Sequence, residues 1–102
     1  MSKSKSAKNL ATKIMEKLIG KPLPYLLNKK AHLHDCDGEP QFRFMYKKKL
    51  IAINCDEEGY CMVGVIDESG VETAKGFSEK LSILMYMMYE DIYINRGFED
   101  AA

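Results

Sequence analysis

The chain has 102 residues, with 15 Lys or Arg against 15 Asp or Glu, and three cysteines. That length suits one domain with one core. An odd cysteine count without CxxC spacing speaks against a disulfide framework and for reduced thiols in a cytoplasmic setting. The most apolar stretch, Leu81 to Tyr89, is too short to span a bilayer, and no basic segment followed by an apolar one opens the chain. Neither a membrane association nor a secretory signal is therefore expected. The zero net charge conceals a polarity: residues 1–49 hold twelve Lys or Arg against four Asp or Glu, and residues 50–102 hold three against eleven. Such asymmetry points to a partner surface, or to halves that attract each other in the fold.

Residues 1–6 form a Ser/Lys-rich basic arm, expected to be disordered. Ser6 is placed to cap a helix from Ala7 to about Ile19, with Leu10, Ala11, Ile14 and Leu18 as its apolar stripe and Met15 at its margin. Gly20 supplies the C′ position, and Pro22 follows it. Pro24 is placed to open a short second helix reaching Lys30, because its missing N–H costs nothing there. Ala31 to Pro40 reads as a loop.

From Gln41 to Asp67 the chain reads QFRFMYK, KKLIAINC, DEEG, YCMVGVID, three alternating runs that predict an antiparallel β-meander. A corner at Lys47-Lys48 pairs Phe44 with Ile51 and Phe42 with Ile53. A turn over Asp56 to Gly59 pairs Cys55 with Tyr60 and Ile53 with Met62. One face then collects Phe42, Phe44, Tyr46, Ile51, Ile53, Cys55, Tyr60, Met62 and Ile66 as the core. The other face carries Met45, Leu50, Ala52, Cys61, Val63 and Val65. It is too apolar for a wet face, so both faces are expected to be covered. Glu68-Ser69-Gly70 turns the chain into an optional fourth, edge strand over Val71 to Lys75. A long helix from Phe77 to Asn95 follows, with Gly97 at C′ and residues 98–102 as a tail.

The fold class expected is α+β: an N-terminal helix, a meander of three or four strands, and a long C-terminal helix packed on the sheet, in one domain over 7–97. This element order resembles that of double-stranded RNA-binding domains, which run helix, three strands, helix. Where those domains carry a Lys-rich start to the last helix, this chain has Glu72 to Phe77 with no lysine pair, so no site residue carries over.

No catalytic constellation emerges, and neither a cofactor nor an enzyme is expected. His32, His34 and Cys36 alternate within AHLHDCDGE and would point one way in an extended segment. With Cys55 or Cys61 they would make a zinc set, but the spacing fits no paired-ligand pattern, so metal binding through the His32 to Glu39 loop is a secondary alternative. No cysteine has the orienting partners that a nucleophile needs. Asp56, Glu57 and Glu58 read as a solvated turn.

Arg43, Lys47, Lys48 and Lys49, with Lys13 and Lys17 of the first helix, are the candidates for contacting phosphates if the chain binds nucleic acid. The final helix has two apolar stripes. Phe77, Leu81, Leu84, Met85, Met88 and Ile92 match the core, while Ile83, Met87 and Ile94, with Tyr86 beside them, lie opposite. A helix apolar on both sides is normally covered on both sides. The leading expectation is therefore a non-enzymatic protein-interaction module (an adaptor, inhibitor or regulator) that forms a homodimer through Ile83, Tyr86, Met87 and Ile94 and meets a further protein. Nucleic-acid binding through the basic half is the alternative.

Overall fold

The computed structural model describes residues 9–95; the expected arm at 1–6, the Ser6 cap, Gly97 and the tail lie outside them. The class is α+β, with two N-terminal helices, a five-stranded antiparallel sheet and a C-terminal helix. Helix α1 spans Leu10–Gly20 and α2 spans Pro22–Asn28. Strands β1 (His32–Cys36), β2 (Glu39–Tyr46), β3 (Lys49–Cys55), β4 (Tyr60–Asp67) and β5 (Gly70–Phe77) pair in chain order. Helix α3 covers Glu79–Tyr89 and continues as π-helix over Glu90–Asn95.

Asn9 caps α1, its side chain accepting from the Thr12 N–H at 2.8 Å. Gly20 is the last helical residue rather than C′, and Pro22, not Pro24, opens α2. The meander has one strand more than the upper expectation, because the segment read as a loop is β1. The signal for it was Asp37-Gly38, the residue pair that a two-residue hairpin with positive φ favours; φ is 55° at Asp37 and 86° at Gly38, and Cys36 pairs with Glu39.

The β2–β3 register is the expected one, with Phe44 opposite Ile51 and Phe42 opposite Ile53. The β3–β4 register is not. Cys55 pairs with Cys61, Ile53 with Val63 and Ile51 with Val65. The loop has three residues, Glu57 to Gly59, closed by an Asp56 N–H to Tyr60 carbonyl bond of 2.9 Å, with Gly59 at φ 108°. The Asp56 carboxylate accepts from the backbone of Glu58 at 2.9 Å and of Tyr60 at 3.0 Å. A loop of this parity turns β4 over relative to the four-residue turn. Cys61, Val63 and Val65 are therefore buried, while Tyr60, Met62 and Ile66 face out. Cys55 and Cys61 meet as a disulfide beneath the helices, so the expectation of three reduced thiols fails for this pair; Cys36 is the free cysteine.

All three helices lie on one face of the sheet. Ala11, Ile14, Met15 and Leu18 of α1, Leu26 of α2, and Leu81 and Met85 of α3 close over Phe42, Phe44, Ile51, Ile53, Val63 and Val65. The inward residues of β5 serve α1: the Glu72 carboxylate accepts from the Ala11 N–H at 3.0 Å. Gly76 leaves the space that Met15 and Ile19 occupy, since a Cβ there would lie 3.0 Å from the Met15 side chain. Phe77, assigned above to the core stripe of the last helix, instead ends β5 on the uncovered face, edge-to-face with Tyr60 at 5.1 Å.

The buried Val63 and the exposed Met62 test the register. Val63→Ala removes two buried methyl groups at roughly 0.8 kcal/mol each plus a cavity contribution, so a loss of about 2 kcal/mol is expected by urea denaturation. Met62→Ala is expected to cost under about 0.5 kcal/mol; the register expected above would reverse the order.

The β2–β3 turn yields a second prediction. Lys47 and Lys48 both have positive φ, 51° and 65°, in a two-residue hairpin where Asn-Gly is preferred. The left-handed region costs a non-glycine residue about 1–2 kcal/mol, and glycine returns part of that gain through the entropy of the unfolded chain. Replacing the pair by Asn-Gly is expected to stabilise the fold by about 1 kcal/mol, read as a higher urea midpoint.

Candidate interaction surface

The helices leave the other face of the sheet uncovered among the described residues. The pairing lays out its rows: His32, His34 and Cys36 on β1, Gln41, Arg43 and Met45 on β2, and Leu50, Ala52 and Asn54 on β3. Tyr60, Met62, Gly64 and Ile66 follow on β4, and Val71, Thr73, Lys75 and Phe77 on β5. Met45, Tyr60, Met62, Ile66, Val71 and Phe77 are exposed there, from 38% at Met62 and Ile66 to 64% at Val71. The expected covering of both sheet faces is thus not achieved within residues 9–95.

One corner of this face is polar and ordered. Gln41 donates from Nε2 to Asn54 Oδ1 at 2.8 Å and accepts at Oε1 from Arg43 Nε. Arg43 Nη2 donates to Cys36 Sγ at 3.1 Å. Next to it lies an open groove of about 490 Å³ whose polar lining is Lys29, Lys30, His32, His34 and Arg43, over Met45 and Leu50.

His32, His34 and Cys36 do share one face, as alternation requires. The further ligands considered, Cys55 and Cys61, lie on the opposite face and are bonded to each other. Among the described residues no group of three or more His, Cys, Asp or Glu is placed to hold a metal ion. Nor is any helix among them long and apolar enough to cross a membrane.

The six basic candidates do not form one surface. Arg43 belongs to the open face. Lys47 and Lys48 occupy the β2–β3 turn, Lys47 with its Nζ 5.3 Å from the Tyr46 ring centroid. Lys49 pairs with Asp67 at 3.4 Å. Lys13 and Lys17 are on the helical side; Lys17 stands 5.6 Å over Tyr25, which Lys29 also approaches at 5.8 Å, and Lys29 lies 4.2 Å over Tyr46. Sequence reasoning passed over Lys29 and Lys30 as site residues, because they were read only as the end of the short second helix, and it considered His32 only as a metal ligand.

The charge polarity of the sequence becomes one of position. In a meander, the β1–β2 and β3–β4 loops share one end of the sheet, and the β2–β3 and β4–β5 loops share the other. Asp35, Asp37, Glu39, Asp56, Glu57 and Glu58 therefore gather at the first end. Lys29, Lys30, Lys47 and Lys48 gather at the second, where Asp67 and Glu68 are also found.

On α3, Ile83, Met87 and Ile94 are exposed and Tyr86 is half-buried. Burial raises the phenol pKa of Tyr86, and the nearby Glu39, Glu57 and Asp56 carboxylates add to the rise. Ile94 sits in the π-helical segment, where 100° per residue no longer applies. The expected continuation of one stripe from Ile83 to Ile94 is therefore interrupted. Tyr93 ties the segment to the sheet, donating from its hydroxyl to the Leu33 carbonyl at 2.9 Å. No family model matches the chain, and no curated protein or solved structure matches it either.

Tyr25, edge-on to Phe44 at 6.2 Å, has its pKa raised above 10.0, first by burial and then by Tyr46. The fold favours the neutral phenol. This contribution is fully present below the ordinary value and is lost as pH rises through the raised one. A Tyr25→Phe variant is expected to lose less stability than wild type between pH 9 and 11 (roughly the span around an ordinary tyrosine pKa), measured as the urea midpoint against pH.

Proposed function

We propose that the protein is a small non-enzymatic interaction module, an adaptor, inhibitor or regulator that associates with itself and with a further protein. The observation that carries this reading is the uncovered sheet face. Six large apolar side chains, Met45, Tyr60, Met62, Ile66, Val71 and Phe77, are exposed together on it, whereas single exposed apolar residues would need no explanation. Met and aromatic residues are also the types that interfaces favour. The exposed Ile83 and Met87 of α3, with Tyr86 beside them and Ile94 further on, are the surface proposed for the homodimer, since a two-fold pair is the commonest assembly.

Cytoplasmic residence belongs to the same reading, and the Cys55–Cys61 disulfide weighs against it, because such bonds persist in oxidising compartments. The nucleic-acid alternative draws its support from the basic end of the sheet.

Sedimentation velocity tests the self-association. A wild-type dimer that Met87→Lys converts to monomer, with Met62→Lys still dimeric, is the expected result. A dimer split by Met62→Lys instead moves self-association to the sheet face, and a monomeric wild type removes the homodimer.

A further inference from the structure

The groove at the basic end of the open face has features that an interaction module does not require. Its polar lining consists wholly of lysine, arginine and histidine, with no carboxylate among the lining residues. Lysines scattered over a solvated surface ordinarily have acidic neighbours, as Lys49 has in Asp67.

Arg43 is held in place before any ligand arrives. Its Nε is bonded to Gln41, its Nη2 to Cys36, and Gln41 is anchored in turn on Asn54. A guanidinium has five N–H donors, so this arrangement fixes the planar fork and leaves donors for a phosphate. The floor beside it, Met45 and Leu50, is apolar, and the volume of about 490 Å³ lies in the range that small ligands occupy.

The backbone supplies an independent observation. Four non-glycine residues have positive φ, and three of them are Lys30, Lys47 and Lys48. All three stand at this end of the sheet: Lys30 leads into β1, and Lys47 and Lys48 join β2 to β3. Asn or Gly would adopt those conformations at less cost. The positive φ itself is set by the two-residue hairpin at Lys47 and Lys48 and by the helix end at Lys30; lysine in place of Asn or Gly at these positions keeps three cations at this end of the sheet.

We infer that the groove formed by Lys29, Lys30, His32 and Arg43 over Met45 and Leu50 binds a phosphate-bearing ligand of nucleotide size, either a free nucleotide or one unit of single-stranded nucleic acid. The phosphate takes the remaining Arg43 donors and the Lys30 ammonium group, while Lys29, whose ammonium lies 4.2 Å over the Tyr46 ring, borders the groove. The base or sugar covers Met45 and Leu50. Lys47 and Lys48 extend the positive potential beyond the groove, where a continuing strand would run.

Fluorescence anisotropy of a labelled short oligouridylate, titrated with the full chain at low salt and then along a salt series, tests this. Binding is expected to weaken linearly on a log–log plot, and each lost phosphate contact is expected to lower the slope by roughly 0.7 for a single strand. Arg43→Gln and Lys30→Gly are each expected to weaken binding about tenfold or more, the order of one charge-assisted contact. The Asn-Gly replacement of Lys47 and Lys48 is expected to reduce the slope while raising the urea midpoint, which separates lost contacts from lost folding.

Competition distinguishes the two sources. Displacement of the oligonucleotide by ATP identifies a mononucleotide site, and oligonucleotide binding that ATP does not displace identifies the strand. Three results overturn the proposal: neither probe binds at low salt; binding is unchanged in both Arg43→Gln and Lys30→Gly; or phosphatidylserine vesicles are bound while both nucleotide probes are not.

Discussion

Asp56 and the three-residue loop that it closes set the phase of half the sheet. The carboxylate takes the backbone N–H groups of Glu58 and Tyr60, and Gly59 accepts the positive φ that completes the reversal. Cys61, not Tyr60, then falls opposite Cys55, and β4 turns Val63 and Val65 inward. Because β5 pairs with β4, its phase follows. Glu72 comes to the first turn of α1, and Gly76 comes to where Met15 and Ile19 need room. The same loop holds α3. The Gly59 carbonyl accepts from the Ser78 N–H at 2.7 Å, and the Asp56 carbonyl accepts from the Ser82 hydroxyl. Ser78 in turn caps the helix through the Leu81 N–H.

One-sided layering is the consequence that matters for function. With α1 over β4 and β5 and α3 over β2 to β4, every described helix is spent on one side of the sheet. A strand pair such as β3–β4 is apolar on both faces, so the second face remains with Ala52, Met62 and Ile66 and no helix over them. That face is divided in chemistry. Its β4–β5 side is apolar and aromatic, and its β1–β2 corner is polar, organised by Gln41, Arg43 and Asn54. The proposed protein partner would meet the first part, and the inferred phosphate-bearing ligand the second.

The lysines act in two different ways. Lys17, Lys29 and Lys47 lie over tyrosine rings, where an exposed ammonium–ring contact is worth about 0.5–1 kcal/mol. These contacts order Tyr25 and Tyr46 at the margin of the core. Lys30 and Lys48 make no such ring contact, and each sits at positive φ. Their positive φ belongs to the turns that they occupy, the end of α2 and the two-residue β2–β3 hairpin.

The sequence by itself determined the α+β class, the α1 stripe of Ala11, Ile14 and Leu18, the β2–β3 register, and Leu81 and Met85 as the inward side of α3. In each of these, apolar spacing and local turn chemistry point the same way. It left the phase of β4 open, because Cys61, Val63 and Val65 and the alternate set Tyr60, Met62 and Ile66 are both apolar. Periodicity cannot rank two faces of that kind. The choice fell to loop parity and to the smaller side chains fitting beneath α1 and α3. Strand β1 was legible in Asp37-Gly38 but was obscured by the polar residues of HLHDC, which an edge strand tolerates because half of its surface stays wet. The groove was not legible at all: Lys29 and Lys30 are separated from Arg43 in the chain, and only the β1–β2 pairing of His32 with Arg43 brings them together.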